Sequence, residues 1–133
     1  MNPLIVETAL QSALAASAFP SIQIYLGTSY LEMSPESLNL IVSVDQLEHI
    51  ASNLYKAHTS IKITSPALLG SGQLSTLVST LETLRANFTA DYFTTHWTSS
   101  DVTFNGLWVQ ETSMTQHEHE WVADLKAVIG VTE

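Results

Sequence analysis

The chain has 133 residues, no cysteine, 45% hydrophobic and 13% charged residues, and a net charge of -9 from 13 acidic and 4 basic side chains. That length suits one domain of roughly 100–150 residues, so residues 1–133 are read as a single unit. The missing cysteines exclude disulfides, thiolate metal sites and cysteine nucleophiles, and four scattered cations (Lys56, Lys62, Arg85, Lys126) argue against phosphate-backbone binding, which runs on Lys and Arg.

The start Met1-Asn2-Pro3 has no basic segment leading into an apolar core, so no secretory signal is expected. No run approaches the roughly 20 apolar residues of a membrane span. The default location is therefore cytoplasmic, with no membrane partner. Charged residues fall to about half of the usual ~25%, and Ser and Thr take their place, as in Thr94-Thr95 and Ser99-Ser100.

In residues 4–17, Ile5, Val6, Ala9, Leu10, Ala13 and Leu14 recur at helical spacing and predict a helix ended by Pro20. Ile22, Ile24 and Leu26 then alternate with polar residues as in a half-buried strand. Gly27 to Ser37 is rich in turn formers. A second strand puts Leu38, Leu40, Val42 and Val44 on one face, and Asp45–Asn53 is ambiguous between strand and turn. Over Leu54–Ser65 alternation returns, with Ala57, Thr59, Ile61 and Ile63 opposite His58, Ser60, Lys62 and Thr64.

Past a loop at Ser65–Gly72, the stripe Leu74, Leu77, Val78, Leu81, Leu84 and Phe88 predicts a helix over about 72–88. Its many Thr and Ser residues leave packing rather than propensity to hold it. Residues 89–100 are aromatic but irregular and read as a short helical turn followed by a loop. The last third predicts a long hairpin, one arm from Phe104 to Thr112 and the other over about 116–131, with Trp108 and Trp121 paired across it. The expected class is α+β: a mainly antiparallel sheet with two helices packed on one face and a long C-terminal β-hairpin.

Chemistry-bearing clusters are few. His117 and His119, two apart in an expected strand, share a face; with no further ligand indicated they read as a polar strand end and no metal site is expected, the alternative being a metal or small-molecule site. Gly70-Ser71-Gly72 before a helix lacks the lysine of a phosphate loop and the spaced glycines of a dinucleotide fold. No Gly-x-Ser-x-Gly frame supports a nucleophile. The expectation is a non-enzymatic chain with no cofactor and no catalytic residue. Glu118, Glu120 and Asp124 fall on the polar side of one expected strand, either a solvated face or one wall of an acidic channel. Leu68, Leu69 and Trp108 are apolar groups outside the expected core, and so candidates for an oligomer interface.

The order of these elements resembles the tail terminator (tail completion) proteins of long-tailed bacteriophages and related gene-transfer particles. An amphipathic helix comes first, then FPSIQIYLG (Phe19–Gly27), HTSIKITSP (His58–Pro66), a helix at Leu74–Phe88 and a closing hairpin at Val102–Val131. The resemblance covers nearly the whole chain and rests on layout, not on a diagnostic motif. It implies a virion neck or tail subunit, assembled in the host cytoplasm, that closes into a hexameric ring on the tail tube. Such a ring halts tube polymerisation and receives the head-completion or connector protein. It implies self-association and tail-tube partners, with DNA passing an acidic lumen without specific binding.

Overall fold

The computed structural model describes residues 1–27, 38–65, 71–117 and 120–133. Their order is α1 (Pro3–Ala16), β1 (Ile24–Leu26), β2 (Asn39–Ala51), β3 (Leu54–Ser65), α2 (Ser71–Asn87), α3 (Ala90–His96), β4 (Thr103–His117) and β5 (Glu120–Thr132). The strands form one five-stranded sheet in the order β1-β2-β3-β5-β4. Every neighbouring pair is antiparallel except β1 and β2, which run parallel. The α+β expectation holds, with a third, short helix where a helical turn was expected.

Local chemistry explains the helix ends. Asn2 caps α1 by accepting the Leu4 N–H at 3.0 Å, and Pro3 takes the first helical position, where no N–H is needed. Thr89 caps α3 in the same manner, accepting from the Tyr92 N–H at 3.2 Å. Inside α2, Thr80 and Thr83 return their hydroxyls to the Thr76 and Ser79 carbonyls, which satisfies these groups without help to the helix.

One face of the sheet carries the core. Leu40 and Val42 of β2, Ala57, Ile61 and Ile63 of β3, and Ala123, Leu125, Ala127, Ile129 and Val131 of β5 are buried there. Against them lie Val6, Leu10, Ala13 and Leu14 of α1, Leu77 and Leu84 of α2, and Phe93 of α3. Thr59 points into this core and donates its hydroxyl to the Ala127 carbonyl at 3.0 Å, so the buried oxygen is partnered. Beyond the three-residue β1, the N–H of Val44 is taken by the buried Glu7 carboxylate at 2.8 Å. The chain leaving β1 must pass close to β2: a side-chain carbon at Gly27 would sit 2.8 Å from the Ser43 Cβ, so only glycine fits.

Two strands are longer than their alternation suggests. Asp45–Ala51 continues β2, but irregularities between Val44 and Gln46 and between His49 and Ala51 reset the period and hide the strand in the sequence. β4 extends past the expected end at Thr112, through Gln116 to His117, which pairs with Glu120 of β5. That extension lies along a sheet edge and Met114 is its one apolar residue, so no run of apolar alternation announces it.

The irregular aromatic stretch fastens the helices to β4. Phe93 packs against Phe88, Tyr92, Trp97 and Phe104, with ring centroids 4.8–6.3 Å apart. The Tyr92 hydroxyl donates to the Ala13 carbonyl at 2.6 Å and accepts from the Ala18 N–H at 3.0 Å, closing the C-terminal end of α1. Removing this hydroxyl strands two backbone groups. Tyr92→Phe is expected to lower the unfolding free energy by about 1–3 kcal/mol in urea melts, with no change of fold by circular dichroism.

Candidate functional surfaces

The sheet face opposite the helices is where the fold leaves polar and charged groups. Register places Lys56, His58, Ser60 and Lys62 of β3 there, beside Asp124, Lys126 and Val128 of β5 and Trp108, Glu111 and Ser113 of β4. Three of the four basic residues, Lys56, Lys62 and Lys126, thus gather on one face. Each sits at an outward position of an alternating strand. What no single strand reveals is that β3 and β5 are neighbours, which turns scattered lysines into one surface.

Asp124 lies opposite Lys62 on β3 and Ser113 on β4. Its carboxyl is pushed above the ordinary 3.8 by burial, with Asp45 and Glu111 acting in the same direction, while Lys62 and Lys126 pull it down and only partly offset the rise. Its Oδ1 is buried with no hydrogen-bond partner among the described residues. Next to it, the Ser60 hydroxyl donates to one oxygen of Asp45 and the Ser43 hydroxyl to the other, at 3.3 Å for the latter. Asp124 therefore belongs to a mixed-charge patch. Of the other two expected acidic positions, Glu118 lies outside the described residues and Glu120 is the first residue of β5.

His117 is the last residue of β4 and pairs with Glu120, the first residue of β5. Of the pair expected to share a face, His117 is the last residue of β4 and His119 lies outside the described residues. No group of three or more His, Asp or Glu side chains among the described residues is placed to hold a metal ion. No helix among them is long and apolar enough to cross a membrane.

Leu68 and Leu69 also lie outside the described residues. Trp108 stands 57% exposed on the open face. It does not pair with Trp121: the register sets Trp108 opposite Val128 and Trp121 opposite Gln116, on the other side of the sheet, where Trp121 packs partly buried against the core. The Trp108 ring lies across a glycine track, 3.7 and 3.8 Å from where side chains at Gly106 and Gly130 would begin. The Lys56 ammonium stands 6.0 Å from its centroid. Nothing in the local sequence links Lys56 to Trp108, because the contact crosses β5.

On the helix side, a groove of about 430 Å³ runs between α1 and residues 98–101, with Leu4, Ile5 and Ala9 on one wall and Ser99 and Asp101 on the other. Leu4 is 43% exposed. The Ser99 hydroxyl accepts from the Asp101 N–H at 3.2 Å and so shapes the rim.

The raised Asp124 carboxyl has a sign that can be checked. Its folded-state value lies above the unfolded one, so the fold holds its proton more tightly and loses stability as pH rises upward from about 3.8. Asp124→Asn removes that loss. The variant is expected to melt at a higher temperature than the parent at pH 7, with the gap narrowing as pH is lowered through 3.8 in a series of thermal melts.

No protein-family model matches the chain, and no curated protein matches it. Among solved structures, a chain from the virion of a native gene transfer agent particle superposes with a TM-score of 0.63 at 12% sequence identity, over 98% of this chain and 96% of that one. At that identity the likeness is one of fold, and it runs essentially end to end in both chains.

Proposed function

We propose that this chain is a structural subunit of a phage-like virion, and more specifically a tail terminator: a ring-forming protein that caps the tail tube, stops its growth and offers the surface for head–tail joining. The observation that carries the reading is the end-to-end fold likeness to a chain of a gene transfer agent virion, at 98% and 96% coverage. The element order, the net charge of -9 and the small number of chemistry-bearing clusters agree with a protein that acts through its surfaces.

In this reading the partners are further copies of the chain, the tail-tube protein below and a head-completion or connector protein above. Trp108 contributes to the contact between copies, together with Leu68 and Leu69. Glu118, Glu120 and Asp124 face a lumen through which DNA passes without specific binding. Acidic groups there repel the phosphates and keep passage free of adhesion. The subunit does no catalysis, and its place is the virion neck after assembly in the host cytoplasm.

Light scattering and negative-stain microscopy test this directly, on the protein alone at high concentration and mixed with tail-tube protein. Closed rings of hexameric mass are expected in the mixture. A chain that stays monomeric in both conditions overturns the proposal.

A further inference from the structure

We infer that neighbouring copies join by continuing the sheet, with β4 of one subunit lying antiparallel to β2 of the next around Gln46–His49; this rests on the ring-subunit reading above. The order β1-β2-β3-β5-β4 puts β4 at one edge of the sheet. Its 15 residues include no lysine, arginine or proline, the residues that commonly keep an edge strand from pairing. At the other edge, β1 covers β2 only from Leu40 to Val42, and Gln46, Glu48, His49 and Ile50 stand exposed beyond it. Among the described residues no strand lies outside β4, and none pairs with β2 on the β1 side past Val42.

The two edges match in level and direction. Register carries Gln46 through His58 and Val128 to Trp108, and Leu47 through Ala57 and Ile129 to Leu107, so each row runs from one edge to the other. Irregularities bracket both stretches, after Val44 and His49 on β2 and after Phe104 and Val109 on β4. They supply the bend that a closing sheet requires. Three antiparallel steps separate β2 from β4, so the two strands run in opposite directions. Rotation about an axis along the strands preserves direction. It therefore sets β2 of the next copy antiparallel to β4, with the helices of every copy on one side of the wall.

Apolar exposure falls at the same places. Of the six large hydrophobic side chains exposed among the described residues, Ile50 and Leu54 lie beside the first edge, and Trp108 and Val109 lie on the second. Val109 is opposite the buried Ala127 on the helix side, and Trp108 is on the open side, so a strand laid along β4 meets apolar groups on both faces. The net charge of -9 does not oppose the joint locally. Thr103–Val109 holds no charged residue, and Glu48 stands opposite Lys56 and 3.3 Å from the His58 ring of its own subunit. Main-chain hydrogen bonds then supply the contact and the flanking side chains its register.

The absence of cysteine makes the test direct, on the full chain under the conditions in which the parent assembles. Val109→Cys is combined in turn with Leu47→Cys and His49→Cys, and Trp108→Cys with Gln46→Cys and Glu48→Cys, to cover the stagger of the joint. Within one subunit β2 and β4 stand three strand spacings apart, about 14 Å, too far for a disulfide, so any bridge joins two copies. At least one combination is expected to give a ladder of linked chains up to the full ring on non-reducing gels. Val109→Lys, shown to be folded by a thermal melt, is expected to raise the subunit dissociation constant about tenfold or more in sedimentation. Rings that form in the parent, persist in folded Val109→Lys and yield no ladder from any combination overturn this contact and leave the ring reading standing. Linked dimers from Val109→Cys or Trp108→Cys alone place β4 against β4 and overturn it as well. A parent that never assembles, alone or with tail-tube protein, overturns the ring reading and this contact with it.

Discussion

The pairing of β3 with β5 is the constraint on which the rest of the molecule depends. The two strands run antiparallel in unbroken register from Leu54 opposite Thr132 to Ser65 opposite Trp121. Because side chains alternate with a period of two, a slip of one residue in either strand would turn its buried set outward and carry its lysines into the core. Ile61 and Ile63 flank Lys62, and Leu125 and Ala127 flank Lys126, so the penalty for a slip falls on both strands at once. The buried Thr59 hydroxyl bonded to the Ala127 carbonyl adds a polar link between them at the middle of the core.

Everything outside this pair is placed by reference to it. The β2 strand continues along β3 past two irregularities, and β4 runs along β5 past two more, so both flanking strands bend without losing their partners. The helices then cover the single apolar face, α1 toward β1 and β2 and α2 toward β3 and β5. The aromatic group around Phe93 joins α3 to the start of β4. Two carefully placed polar contacts close the gaps this leaves in the backbone: Glu7 on the Val44 N–H, and Tyr92 at the end of α1.

The same register produces the surface. With apolar residues drawn to the helix side, the open face receives what remains of the alternating strands: lysines, acids, hydroxyls and one tryptophan. The cost of gathering them is visible at Asp124, whose carboxyl is partly stripped of water and raised despite two nearby lysines. The open face sits on the far side of the sheet from the helix groove, so the chain presents two different surfaces.

Read residue by residue, the amino-acid sequence determines a good deal. The helical stripes of α1 and α2, the alternation of β3 and β5 and the absence of cysteine follow from local pattern, since each element's periodicity is carried by its own side chains. Strand order, the parallel β1–β2 pair and the length of β4 were decided by tertiary contact. Irregularities in β2 and β4 erase the period that pattern-reading needs, and the edge at Thr112–Gln116 has a single apolar residue, Met114, too few to show a period. Trp108 is legible as an apolar residue out of place, but its Lys56 neighbour is not, because that contact spans a strand from another part of the chain. Only folding brings residues 56, 101 and 108 into surfaces, since the charge and shape of a surface belong to an arrangement that no linear spacing encodes.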